Sequence, residues 1–384
     1  MILLRVTLFF LLLLLLPDWY IYKSYVKPAG RKIWSRLWWA PTFLLLTVLT
    51  VFLIGGESLH SYLGVYLVTV ICISVPKAFF SLLAFPIRLI RKHFSSYPIE
   101  IPFLCLPAVL LFAYLLFGVI KGKEYFQVRE VTFASPDLPD AFDGYRILQL
   151  SDLHIGSWNG NKEALQHAIR LCNQQRADLA VFTGDMVNSR ASEMEEYIPT
   201  LSQLHAKDGI YSVLGNHDYA TYVKWDSEAE RLANIDTLIA RQKQMGWQML
   251  LNEHVNLYRG NDSIALVGVE NSGNPPFPNK GNLPQALKGT KGMFKILLSH
   301  DPTHWRRDVL PQTDIQLMLA GHTHDMQFNI LGFSASKFFY PEHNGLYKEG
   351  ERGLYVNIGL GYVLFPMRLG AWPEITVITL RKKQ

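Results

Sequence analysis

Two acids (Asp152 and Asp185), one amide (Asn216) and four histidines (His154, His300, His322 and His324) stand in short polar clusters spread from position 152 to 324. A further pair, His217-Asp218, sits beside the amide. Oxygen and imidazole donors without a thiolate suit borderline divalent cations such as Mn, Fe, Zn, Co or Ni. Seven donors exceed what one tetrahedral ion takes. They match two ions that share a carboxylate, an arrangement that clamps both oxygens of an in-line displacement.

A repeated local pattern positions these clusters. Arg146-Ile147-Leu148-Gln149-Leu150 runs into Ser151-Asp152-Leu153-His154, and Asp178-Leu179-Ala180-Val181-Phe182 into Thr183-Gly184-Asp185. Ile210-Tyr211-Ser212-Val213-Leu214 runs into Gly215-Asn216-His217-Asp218. Ile296-Leu297-Leu298 leads to Ser299-His300-Asp301-Pro302, and Ile315-Gln316-Leu317-Met318-Leu319 to Ala320-Gly321-His322-Thr323-His324. Each run has strand length and aliphatic or β-branched content. Helices are expected at 162–174, 192–204 and 227–245. In the first, Leu165, Ile169 and Cys172 share one face. Short strands alternating with helices predict a layered α/β domain, in which ligands bind beyond the carboxyl ends of the strands. All five clusters would then meet in one pocket.

In this order, Asp152-x-His154, Gly184-Asp185, Gly215-Asn216-His217-Asp218, His300 and Gly321-His322-x-His324 resemble the calcineurin-like metallophosphoesterase family, membrane-anchored bacterial type. The resemblance covers the chain from about residue 140 onward. Each motif alone is modest, but five in order, each at a strand end, are specific. The resemblance implies an α/β fold of four-layer α/β/β/α sandwich type and a metal-dependent phosphoesterase. It implies that Asp152, His154 and His324 bind one metal ion, that Asn216, His300 and His322 bind a second, and that Asp185 bridges them. It further implies that His217 protonates the leaving oxygen or steadies transition-state charge, with Asp218 orienting its ring. On that reading two cations would neutralise the anionic phosphate, a metal-bridging hydroxide would attack in line, and a histidine would supply the leaving group's proton. The stretches 355–361, 366–369 and 373–376 look like the closing strands of such proteins. One departure is Asp325-Met326-Gln327, where many relatives carry Gly-Gly-Gln. Losing two glycines changes how closely a substrate approaches that loop.

The N-terminal third reads differently. Apolar runs at 6–22, 38–55, 59–83 and 101–120 approach or exceed the span requirement of about 20 residues. They predict an all-α transmembrane region of about four helices. Trp19, Tyr20, Trp34, Trp38 and Trp39 cluster at the expected interfaces. Pro17-Asp18-Trp19-Tyr20 follows the first run where a cleavage site would need small residues, so that run is read as a retained anchor. Lys77 is expected to snorkel to the interface, and no paired carboxylate is expected within the spans, which disfavours a transporter. Lys23, Lys27, Arg31, Lys32 and Arg36 in the first loop, and Arg88, Arg91 and Lys92 in the third, place those loops in the cytoplasm. The second loop, 56–59, has no positive charge. Both termini and the catalytic domain are then extracytoplasmic, and the cell inner membrane is the expected location. Lys121, Lys123 and Arg129 weigh the other way. The expected division is an anchor over 1–122, a linker and first strand over 123–140, and the phosphoesterase domain over 141–384.

The net charge of +5 divides into +8 through Glu124, in the membrane part, and a mildly acidic −3 over the remainder. That disfavours a long nucleic-acid partner. Of the three cysteines only Cys172 lies in the soluble part, so no disulfide forms within it. His167 and His205 are read as helix-face residues, His254 and His343 as loop residues, and His60 and His93 as flanking spans. His304 and Asp301 are read as structural, and Asn188 as either a turn residue or a site residue. The aromatics of 337–347 are read as ordinary packing ahead of an apolar lip near a membrane. The partners expected are the membrane and a phosphorylated small molecule or lipid. Rival readings are a non-catalytic sensor or scaffold binding a phosphorylated ligand, and a nuclease or small-nucleotide pyrophosphatase.

Overall fold

The computed structural model describes residues 2–54, 60–91 and 100–383. The loop at 56–59, Lys92 and His93 lie outside the described residues. The chain divides into two compact units, Met1–Lys121 with Leu364–Met367, and Gly122–Val363 with Arg368–Gln384.

The first unit is helical, with α1 (Ile2–Ile21), α2 (Lys32–Leu37), α3 (Ala40–Ile54), α4 (His60–Arg91) and α5 (Glu100–Ile120). Helix α3 carries no charged residue, and α1 and α5 are apolar apart from Arg5 and Asp18 in α1 and Glu100 at the start of α5, as suits a bilayer, where every backbone group must be satisfied within the helix. Among the described residues, Lys32–Phe52, Tyr62–Ile90 and Ile101–Ile120 are long and apolar enough to cross a membrane. The first expected run forms the twenty-residue α1. Two expectations need correction. Lys77 does not snorkel alone, and a paired carboxylate does lie within the apolar runs, because the Lys77 Nζ lies 2.8 Å from Oδ1 of the buried Asp18. Thr42 also donates to Asp18. Asp18 thus ties α1, α3 and α4 together, since a carboxylate in an apolar bundle must recruit whatever donors are near.

The second unit holds twelve strands: β1 (Gln127–Ser135), β2 (Arg146–Leu150), β3 (Leu179–Phe182), β4 (Ile210–Ser212), β5 (Gln248–Met249), β6 (Glu253–Arg259), β7 (Asp262–Gly268), β8 (Phe294–Leu298), β9 (Leu317–Ala320), β10 (Gly345–Glu349), β11 (Arg352–Val356) and β12 (Glu374–Lys382). They form two six-stranded sheets, ordered β1-β12-β2-β3-β4-β5 and β10-β11-β9-β8-β7-β6. Strands β2 to β5 pair in parallel, as do β7, β8, β9 and β11. Both faces of these strands are covered, which is why they read as near-continuous apolar runs. In β2, Ile147 joins a core made from both sheets, while Leu148 and Leu150 join a core shared with the helices. A third core backs the second sheet, built on Val267, Leu297, Met318 and Trp305.

Helix α6 (Lys162–Gln174) packs Leu165, Ile169 and Cys172 into the first core and is capped by Asn161, whose side chain accepts from Ala164 N. The segment 192–204 is not one helix. It breaks into a turn at Ala191–Met194 and the single turn α7 (Ile198–Leu201). Pro199 has no N–H to continue an incoming helix and suits the first turn of a new one. Ser227 caps α8 (Glu228–Gln244). The stretch 366–369 is also not a strand; only Leu369 forms a bridge, to Phe328.

Candidate metal centre

The carboxyl ends of β2, β3, β4, β8 and β9 carry all five polar clusters. Asp152, His154 and His324 bring their donor atoms within 4.8 Å of one another, as do Asp185, His300 and His322. Asp185 stands between the trios, with Oδ2 3.3 Å from His300 Nε2 and 3.6 Å from His154 Nε2. Asn216 Oδ1 lies 3.1 Å from His300 Nε2. His324 Nε2 is 3.2 Å from Asp152 Oδ1 and 3.0 Å from His154 Nε2. The third such group, His154, Asp185 and His217, brings the expected proton donor against both trios.

The backbone pays a conformational cost for this convergence. Asp152, His154, Asp185, His322 and His324 all have φ between 43° and 78°, a region that side chains other than glycine avoid. Asp325, Met326 and Gln327 continue the strain at 49°, 49° and 61°. Close approach explains the glycines before the donors. A Cβ on Gly321 would overlap Ser151 Oγ and Asp152 Oδ2, and one on Gly215 would overlap Asp185.

Burial depresses His154, His322 and His324, leaving neutral imidazoles with a lone pair to offer. Burial alone would raise Asp152 and Asp185. The neighbouring imidazoles, His324 on Asp152 and His300 on Asp185, instead hold both carboxyls below the usual range. His300 goes the other way. Burial opposes its charge, yet Asp185 lifts it to about 10. Its Nδ1 meets the Thr183 carbonyl at 2.7 Å, and its Nε2 faces Asn216 Oδ1 and Asp185. A proton on His300 therefore offsets charge that a cation would neutralise. Neutral imidazoles, ionised carboxylates and an amide oxygen converging without a thiolate fit divalent cations.

Asp218 does not orient His217. Its carboxylate is buried and accepts the backbone N–H of Gly215, Asp185, Met186 and Val187 at 2.8–3.3 Å, clamping the β3 and β4 loops together. His217 Nδ1 instead meets the Asn188 carbonyl at 2.7 Å. Asn188, left open by the sequence, thus touches the site through its main chain. Sequence reasoning also missed four neighbours. The Tyr222 ring stacks on His217 with centroids 4.2 Å apart, and its hydroxyl accepts from Asn216 Nδ2 at 2.8 Å. Tyr340 OH meets His322 Nε2 at 2.8 Å, and Phe277 sets its ring against His322. Arg368, fully buried, faces His324 Nδ1 at 3.1 Å with a donor where ligating histidines usually meet an acceptor. No spacing rule pointed to these residues, although Arg368 lies in a stretch whose resemblance was noted. His304 pairs with Ser299 Oγ at 2.9 Å, outside both trios.

Residues 145–326 match the calcineurin-like phosphoesterase family, and residues 4–123 match the probable calcineurin-like phosphoesterase transmembrane domain. The uncharacterized metallophosphoesterase YkuE of Bacillus subtilis is 32% identical over 66% of this chain and 85% of its own length. A zebrafish (Danio rerio) transmembrane protein with metallophosphoesterase domain is 31% identical over 70% of this chain. The alignment spans 60% of that relative's length. An uncharacterized metallophosphoesterase of Campylobacter jejuni is 25% identical over 97% of both chains.

Proposed function

The chain belongs to the calcineurin-like phosphoesterase family and carries a transmembrane domain, and from that premise we propose a membrane-anchored, dinuclear metal-dependent hydrolase of a phosphomonoester or phosphodiester. The observation that carries this reading is Asp185 Oδ2, within reach of His300 Nε2 on one side and His154 Nε2 on the other. Asp152, His154 and His324 would hold one cation, Asn216, His300 and His322 the second, and Asp185 would serve both. Two divalent cations held there would supply charge neutralisation for the phosphate and acidify a water. The protein's own groups do the rest. Asn188 O can only accept, so His217 Nδ1 keeps its hydrogen and the exchangeable proton sits at Nε2, available to the leaving oxygen. Tyr222 covers one face of that ring and limits its rotation. Asp218 holds the loops bearing Asp185 and Asn216 at a fixed separation.

The test uses the full-length, metal-loaded protein and an aryl phosphate. His217→Ala is expected to lower kcat by about 10²–10⁴ with cation content unchanged. Asp185→Asn is expected to lose cation and activity together. Ligand binding without turnover across several metals would replace the hydrolase with a non-catalytic sensor. The loop charges support an extracytoplasmic domain in the inner membrane, which a compartment-sensitive reporter fused after Gln384 tests directly.

A further inference from the structure

The stretch between two of the site's contacts is unusually apolar where it meets solvent. Ile330 and Phe333 close a tight turn by exchanging backbone hydrogen bonds at 2.9 and 3.0 Å. Its tip is Leu331, fully exposed at 102% with φ 54°, followed by Gly332 at 82°. Such a turn favours Asn-Gly, so a leucine here costs both backbone strain and apolar exposure. Phe338 and Phe339 follow, exposed at 70% and 68%, which corrects the expectation that these aromatics pack. Lys337 lies over the rings of Phe333 and Phe338, at 4.0 and 5.5 Å from their centroids. The stretch is tied to the site at its middle and at its far end. Ser334 Oγ donates to the Asp325 carbonyl, next to His324, and Tyr340 sits on His322.

We propose that residues 330–339 form a lip that inserts into the surface of an anionic bilayer and brings the metal centre to phosphate groups of membrane lipids. Leucine and phenylalanine lower their free energy by leaving water for the acyl boundary, and a lysine among aromatics suits the headgroup level. The bilayer is the occupant because this chain carries a transmembrane domain, and one residue separates α5 from the second unit in sequence. The Lys337 charge complements anionic headgroups. The lipid substrate class rests on the phosphoesterase reading; the insertion does not.

Full-length protein in nanodiscs of phosphatidylglycerol and phosphatidylcholine tests both parts. A solvatochromic dye on Leu331→Cys, in a Cys105→Ala background with Cys72 and Cys172 buried, reports the lip; the same dye on exposed Lys288→Cys is the reference. Insertion gives a blue-shifted emission at position 331 that lipids brominated on their acyl chains quench. Emission and quenching equal to the reference overturn the proposal, as does a blue shift without quenching, which signals a protein neighbour or second copy. Phe338→Ser/Phe339→Ser is expected to lose hydrolysis of a lipid phosphate in the disc and keep that of a soluble aryl phosphate. Equal rates on both substrates for wild type and variant overturn the substrate class. If the wild type hydrolyses neither, the hydrolase reading fails, and the dye alone decides the lip.

Discussion

His300 is a cation in one state of the site and must be neutral in the other. Without a cation, Asp185 keeps it protonated up to about 10 despite complete burial. A ligating imidazole must be neutral, so loading at pH 7 to 8 must expel that proton. Calorimetric titration of divalent cation in buffers of different ionisation enthalpy should show release of about one proton or more per protein; buffer-independent heats would contradict the assignment of His300. A raised imidazole contributes stability that is full below about 6.5 and is lost as pH rises through its folded value. The cation-free protein should therefore weaken between neutral and alkaline pH. At Met326 the backbone is left-handed with no glycine to relieve it. Met326→Gly is expected to raise unfolding stability by about 1 kcal/mol, read from denaturant melts.

At the level of elements, the strand ends converge because glycines let their loops touch. Gly321 leaves no room for a methyl beside Asp152. Gly321→Ala should displace Asp152 and cut cation affinity at least about 10-fold, as losing a group that supports a ligand does. The far stretch 366–369 reaches the centre through Arg368, which donates to the carbonyls of Ile358, Gly361 and Ala371 as well as facing His324. Arg368→Met would orphan three buried carbonyls and is expected to cost about 3–5 kcal/mol in chemical denaturation. In the helical unit, Asp18 ties α1, α3 and α4. Lys77→Met alone leaves the Asp18 carboxylate without its countercharge, with only the Thr42 hydroxyl beside it, and the melting temperature of the detergent-solubilised protein should fall sharply. Adding Asp18→Asn should restore much of the loss.

For the molecule as a whole, cation binding and folding of the second unit are linked, because its donors come from strands far apart in sequence. Saturation at 100 times the dissociation constant adds about 2.7 kcal/mol. A chelator should therefore lower the melting temperature of that unit and leave the helical unit's transition in place; a single unchanged transition would contradict the linkage.

Residue types and their spacing decided a good deal by themselves. Alternating apolar runs determined the layered α/β class, because strands covered on both faces must be apolar throughout. Each donor cluster was legible at the end of its strand, and the apolar runs in the N-terminal third announced helices without a polar face. Other features depended on contacts between distant segments, which local periodicity does not encode. The resemblance implied that Asp218 orients His217, yet four backbone N–H groups claim the carboxylate and a main-chain carbonyl claims the ring. Asp18 and Lys77 meet only because α1 and α4 pack. Tyr222, Tyr340 and Arg368 reach the centre from loops whose paths are fixed by tertiary packing, and the exposure of Phe338 and Phe339 is likewise decided by where the chain turns.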